Sequence, residues 1–330
     1  MAYRDTLSLV FFGSGLATRL HSKTLARLDP SLRRAYASRD PQRALATCAK
    51  HRGARAYASY EQALDDPAID VVFVTTPPAS HLEWTLRALA AGKDVIVEKP
   101  AFLRAADFAA VRQACASSGR RVLVAENYYY KPLATRLRAL LAEEVVGDVL
   151  FVLVNATKRQ RSGGWRDDAA LAGGGALFEG GIHWINLLAN IGLELTTARG
   201  LRPTPLAGPL ERSMLVTLGY REGAVGTLAY SWEVPALING VHLSTISGRR
   251  GAITFESNGL FVAVNGKKRR LFVPSLADLA GYKAMFGDFL AALRSEGLEP
   301  AMNLARAEHD LTLVEAIYRS VEPVEAAPTP

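Results

Sequence analysis

Leu7-Ser8-Leu9-Val10-Phe11-Phe12-Gly13-Ser14-Gly15-Leu16-Ala17 runs a short apolar segment into two spaced glycines, after which residues 17 to 28 repeat apolar side chains at helical intervals. The order is strand, glycine turn, helix. Gly13 suits the tight turn, and Gly15 lets backbone N–H groups approach a pyrophosphate at the positive end of the helix. The match is to a G-x-G fingerprint in which Ala17 stands one residue short of the third small position. An ordinary strand-to-helix turn has the same look, so the following segments must decide between them.

Those segments alternate. Strands are expected at residues 34–38, 55–58, 71–75, 95–97 and 122–125, and helices at 41–51, 60–64, 80–91 and 105–118. Val71-Val72-Phe73-Val74 and Val95-Ile96-Val97 are unbroken apolar runs, as strands covered on both faces require. The fold class is therefore α/β: an N-terminal Rossmann doubly wound parallel sheet, in which ligands bind at the carboxyl ends of the strands. Ser38-Arg39 follows the second strand, where a guanidinium suits the 2′-phosphate of NADP better than NAD. Asp40-Pro41 beside it has the form of a helix N-cap. Thr76-Pro77-Pro78-Ala79-Ser80-His81 follows the fourth strand, and Glu98-Lys99-Pro100 the fifth. The cofactor-binding candidates are thus Gly13, Ser14, Gly15, Leu16, Ala17, Ser38, Arg39, Thr76, Pro77, His81, Glu98 and Lys99, with NADP expected and NAD the alternative.

A second signal lies at Gly173-Gly174-Gly175-Ala176-Leu177-Phe178-Glu179-Gly180-Gly181-Ile182-His183-Trp184-Ile185-Asn186. At about 100° per residue, Glu179, His183, Asn186 and Asn190 share one stripe of a mostly apolar helix. Either that stripe faces water or it lines a cleft holding a polar ligand, because unpaired buried polar groups cost about 1–3 kcal/mol each.

Composition narrows the classes. The chain has 330 residues, 49% hydrophobic and 22% charged, which fits two soluble globular domains. Its start carries no long apolar segment, so neither export nor membrane insertion is indicated and a cytoplasmic address is expected. The two cysteines, Cys48 and Cys115, lack metal-ligand spacing, and no metal is expected. The net charge of +7 is spread over the helices, and its densest run, Lys267-Lys268-Arg269-Arg270, follows Asn265-Gly266 in an expected hairpin turn. Nucleic-acid binding is not expected.

Taken together, Gly13–Ala17, the Thr76–His81 loop, Glu98-Lys99-Pro100 and the Gly173–Asn186 stretch resemble the glucose-fructose oxidoreductase, inositol dehydrogenase and MocA (Gfo/Idh/MocA) family, whose pattern for the last is G-G-G-x-x-x-D-x-G-x-H-x-x-D. Ala125-Glu126-Asn127-Tyr128 and Trp165-Arg166 also look like family features. The resemblance implies a Rossmann domain, residues 1–126, and a C-terminal α+β domain with an open, mostly antiparallel sheet, residues 127–330, that binds substrate and forms oligomers. It implies hydride transfer between a nicotinamide and a secondary alcohol of a sugar or polyol, with Lys99, His183 and Glu179 catalytic. Asn127, Tyr128, Trp165, Arg166 and Asn186 are the substrate-binding candidates. Two family aspartates are replaced: Glu179 keeps the charge with a longer reach, while Asn186 loses it.

In the second domain strands are expected at 148–157, 213–220, 226–232, 242–247, 252–256, 261–264 and 270–273, helices at 276–296 and 303–320, and a frayed tail from Pro323. One sheet face is left uncovered, which predicts a homodimer or homotetramer. Lys158-Arg159-Gln160-Arg161 precedes the Trp165 loop and would favour an anionic sugar, unless these charges are merely solvated. Two other functions fit the motifs: a redox-assisted lyase or glycosidase with tightly held nicotinamide, and a non-catalytic sugar or nucleotide sensor.

Overall fold

The structure, a computed structural model, describes residues 6–203, 210–235, 238 and 240–323. It divides into two compact units, one holding the residues up to Glu126 together with Tyr282–Glu308, the other Asn127–Gly281 and the residues from His309 onward.

In the first unit, six strands pair in parallel: β1 (Ser8–Phe12), β2 (Arg33–Ala37), β3 (Arg55–Tyr57), β4 (Val71–Val74), β5 (Asp94–Glu98) and β6 (Val122–Ala125), in the order β3-β2-β1-β4-β5-β6. Helices connect them, because parallel neighbours need a crossover. Leu9 to Phe12 and Val71 to Val74 are fully buried, each contributing about 1.5–3 kcal/mol of burial. Strand order reverses between β1 and β4, and at such a switch point the connecting loops splay apart and leave a crevice beyond the strand ends.

Tyr282–Glu308, expected in the second domain, packs with the first unit. Phe286 of the helix Tyr282–Arg294 lies edge-on to Phe73 of β4 at 6.0 Å. Arg294 pairs with Asp29, and Arg121 donates to the Ala292 carbonyl. The helix thus joins the body whose apolar groove its own apolar face fills.

The second unit carries nine strands: β7 (Val149–Thr157), β8 (Leu195–Arg202), β9 (Ser213–Tyr220), β10 (Val225–Ser231), β11 (Leu243–Gly248), β12 (Gly251–Glu256), β13 (Val262–Asn265), β14 (Arg269–Phe272) and β15 (Glu322–Pro323). Their order is β14-β13-β12-β11-β7-β10-β9-β8-β15, with only β7·β10 and β8·β15 parallel. β8 was not foreseen, since Leu195-Thr196-Thr197-Ala198-Arg199-Gly200-Leu201-Arg202 mixes charge and glycine. Gly200 sits where a Cβ would meet Ile317, Met214 and Val321. The expected tail beyond Pro323 lies outside the described residues.

Alternation along β9 and β10 buries Met214, Val216, Leu218, Leu228 and Tyr230. The opposite face leaves Phe151, Leu153, Leu215, Val225 and Leu243 between 38% and 61% exposed.

Candidate active site

In the first unit the glycine turn has the shape a phosphate cradle requires. Gly13 adopts φ +122°, and a Cβ there would fall 2.9 Å from the Thr75 hydroxyl, so only glycine lets the turn close against β4. Gly15 has no heavy atom within 4 Å of its missing Cβ. It caps the helix Leu16–Leu28 without a side-chain bond, and no acid stands in the first turn. The positive end of this helix thus carries neither a side-chain cap nor an acid, and Gly15 leaves room beside it, which fits a dinucleotide pyrophosphate. Ala17, expected near the third small position, is displaced from that role by Thr18. The Thr18 hydroxyl donates to the Gly13 carbonyl at 3.0 Å and lies 2.8 Å from the Thr75 hydroxyl, locking the turn. Its signal was the G-x-G-x-x register itself.

At the end of β2, Ser38 is buried and Arg39 exposed. Asp40 caps the helix Pro41–His51, accepting from Gln42 N at 3.0 Å and Arg43 N at 3.4 Å. The acid is therefore engaged, while Arg39 extends from the strand end.

His81 was expected to touch cofactor, yet it is 1% exposed. Its Nε2 lies 2.7 Å from the Thr76 carbonyl and its Nδ1 2.9 Å from that of Pro100. Burial pushes its pKa down, against the pull of those carbonyls. The ring staples the Thr76-Pro77 loop to the Glu98-Lys99-Pro100 loop, whose Lys99–Pro100 peptide is cis. Glu98, also expected at the cofactor, contacts His21 and the Lys99 N–H, leaving Lys99 half-buried after β5.

In the second unit, the triple glycine leads into a π-helical turn, Leu177–Gly181, and then the α-helix Ile182–Ala189. A Cβ on Gly175 would fall 1.7 Å from the Glu211 carboxylate. That carboxylate accepts from Leu177 N at 2.8 Å and from the Tyr318 hydroxyl at 2.8 Å, while Phe178 N donates to the same hydroxyl at 3.2 Å. Glu211 and Tyr318 thus satisfy the N–H groups that open the turn. Burial raises the Glu211 pKa, against the hydrogen bonds it accepts. Nothing in the sequence marks Glu211, a single acid in an irregular segment.

Across the π turn and the α-helix that follows it, the polar residues take separate partners. Glu179 is buried and accepts from Arg166 Nε at 3.0 Å, and the Arg166 guanidinium lies 4.4 Å over the Trp165 ring. His183 is half-buried and stacks on Tyr128, centroids 4.5 Å apart and planes 13° apart. The Lys131 ammonium lies 4.3 Å from the Tyr128 ring centre.

Two substrate candidates are buried and hydrogen-bonded to protein. Asn127 is 4% exposed and donates to the Ala280 carbonyl at 2.7 Å. Asn186 is wholly buried and donates to Asp310 at 2.7 Å. An amide suits that position because a carboxylate would face another. Asn186→Asp is expected to cost about 3 kcal/mol at neutral pH. The like charge raises a carboxyl pKa in the folded state, so part of the loss should return as pH falls through that raised value. Urea unfolding at pH 7 and pH 5 checks this; equal losses at both would contradict it.

Residues 7–126 match a model of the oxidoreductase family with an NAD-binding Rossmann fold, and residues 134–254 match the GFO/IDH/MocA C-terminal domain. The chain belongs to the Gfo/Idh/MocA family. Like its relatives it is an NAD(P)-dependent oxidoreductase of CH–OH groups. Among the relatives is a trans-1,2-dihydrobenzene-1,2-diol dehydrogenase of Xenopus tropicalis, 28% identical over 256 residues, spanning 73% of this chain and 72% of the relative. A D-xylose 1-dehydrogenase (NADP(+)) of Haloferax volcanii is 36% identical over 145 residues, 43% of this chain and 44% of that one. A levoglucosan dehydrogenase, solved with NADH and levoglucosan, shares the fold with TM-score 0.86 and 20% identity, covering 96% of this chain and 97% of its own. Among the described residues, no group of three or more His, Cys, Asp or Glu could hold a metal ion, and no helix is long and apolar enough to cross a membrane.

Proposed function

We propose that this oxidoreductase transfers hydride between NADP and a secondary alcohol or ketone of a sugar, sugar derivative or polyol. The observation that carries it is the state of the family triad: His183 keeps a half-buried ring stacked on Tyr128, Lys99 stands half-buried just after β5, and Glu179 is a buried carboxylate steadied by Arg166. When bound, the nicotinamide supplies the hydride acceptor or donor. In the oxidation direction, His183 takes the hydroxyl proton. Lys99 donates a hydrogen bond to the same oxygen and favours its alkoxide character. Glu179, its charge balanced by Arg166, accepts from a neighbouring substrate hydroxyl. In reduction, His183 returns the proton.

NADP is favoured over NAD by Arg39, whose guanidinium can pair bidentately with a 2′-phosphate. Arg39→Ala is expected to weaken NADP by about 10- to 100-fold while sparing NAD. Titration calorimetry measures both, and equal wild-type affinities would count against NADP preference. Lys158, Arg159 and Arg161, ahead of Trp165, favour an anionic sugar with its face on the indole.

The exposed apolar face of the nine-stranded sheet supports a homodimer or homotetramer in which another copy covers that face, and a cytoplasmic address is proposed with it. A monomeric mass in light scattering would rule this out. The function is tested by screening sugars, polyols and sugar phosphates against NADP and NAD while following nicotinamide absorbance. A substrate-dependent change supports it. Copurifying cofactor without net change indicates a lyase or glycosidase, and binding without chemistry a sensor.

A further inference from the structure

His21 lies in the helix Leu16–Leu28, one turn beyond Thr18, and is 2% exposed. Three aromatic rings enclose it: Phe73 stacks at 5.1 Å, while Tyr282 and Phe286 meet it edge-on, each at 5.3 Å. Its Nε2 contacts Glu98 Oε1, and its Nδ1 has no hydrogen-bond partner among the described residues. Among the described residues, the imidazole's single polar contact is therefore the Glu98 carboxylate. A phenylalanine would fill the same cage without burying a bare nitrogen, so packing alone does not account for this side chain.

Glu98 divides its oxygens between two partners. Oε1 meets His21, and Oε2 accepts the backbone N–H of Lys99 at 3.0 Å. Burial pushes this carboxyl up, but the charge and hydrogen bond of His21, with the charge and N–H of Lys99, bring it down to about 2. It is ionised throughout the neutral range. An ionised carboxylate clamped at both oxygens cannot rotate, and the N–H it holds is the root of the Lys99 side chain. The helix Leu16–Leu28 and the helix Tyr282–Arg294 thereby brace the loop after β5.

We infer that His21 is a positioning residue for Lys99, acting through Glu98 to fix where the lysine leaves the backbone and where its ammonium stands. This deepens the proposed function and rests on Lys99 as the cation that polarises the substrate oxygen. Losing the His21 contact frees Oε1, lets the carboxylate turn away from the Lys99 N–H, and moves the root of the side chain. Displacement of a reacting group by about 1 Å can cost on the order of 100-fold in rate.

The test compares His21→Leu, which fills the cage without a donor, with His21→Gln, whose amide N–H falls near the place of Nε2. In His21→Leu, kcat should fall on the order of 100-fold with KM and NADP affinity near wild type, and His21→Gln should restore most of it. Lysines dimethylated with 13C-formaldehyde give NMR signals, and the Lys99 signal, assigned by its loss in Lys99→Arg, should shift in His21→Leu and return in His21→Gln. Unchanged kcat and an unmoved Lys99 signal in His21→Leu overturn the positioning role. So does an equal fall in both variants. If His21→Leu does not fold, His21→Asn replaces it: its shorter amide misses Glu98, so activity equal to His21→Gln overturns the role. Should Lys99→Met keep its turnover, the proposed chemistry fails, and the Lys99 signal still decides what His21 does.

Discussion

Lys99→Met should lose about 10²- to 10⁴-fold in kcat with NADP affinity and stability close to wild type. Methionine keeps the length and apolar stem of lysine and removes only the ammonium. The backbone N–H at position 99 remains, so Glu98 keeps its bond there and its contact with His21. The Gly13–Thr18–Thr75 lock of the cofactor turn does not involve Lys99. On the proposed mechanism, what disappears is the donor to the substrate oxygen, whose contribution is largest in the transition state, where negative charge develops. Steady-state kinetics on the substrate found by screening, with calorimetry for NADP, separates the two effects. Turnover unchanged from wild type would remove Lys99 from the chemistry.

Gly175→Ala should destabilise the protein by about 3 kcal/mol or more. Its Cβ would fall 1.7 Å from Glu211 Oε2 and 2.4 Å from the Glu211 carbonyl, against van der Waals contact beyond 3.4 Å. The carboxylate cannot step aside cheaply, since it accepts from Leu177 N and the Tyr318 hydroxyl, and the carbonyl accepts from Ala176 N at 2.8 Å. Moving Glu211 leaves buried N–H groups at the start of the π turn unpaired, and that turn carries Glu179. Gly163→Ala is the control: φ is 171°, ordinary extended backbone, and nothing lies within 4 Å of its missing Cβ. Denaturant midpoints compare the two. If Gly175→Ala unfolds at the wild-type midpoint, the steric account of the triple glycine is wrong.

Glu179 and His183 illustrate how far periodicity carries. Helical spacing places them with Asn186 on one stripe, and the packing around the helix gives each its own partner: Arg166 for Glu179, Tyr128 for His183 and Asp310 for Asn186. Periodicity points to these residues of the motif but says nothing of the side chains that hold them. The same holds for the loops at the strand ends, where Glu98 and His81 are held by protein rather than lying open.

From the sequence alone followed the strand-turn-helix at Gly13, the alternation that makes a parallel sheet, the hairpin at Asn265-Gly266 and the positions of Lys99, Glu179 and His183. These depend on backbone preference and side-chain period, which act over a few residues. Tertiary structure alone decided that Thr18 locks to Thr75, 57 positions away, that His21 reaches Glu98 across 77, that Asn186 meets Asp310 across 124, and that residues 282–308 return to the first unit. Such contacts arise where the chain closes on itself. A hydroxyl, an imidazole or an amide has the same local signature whether its partner is water or a side chain folded back from a distant segment.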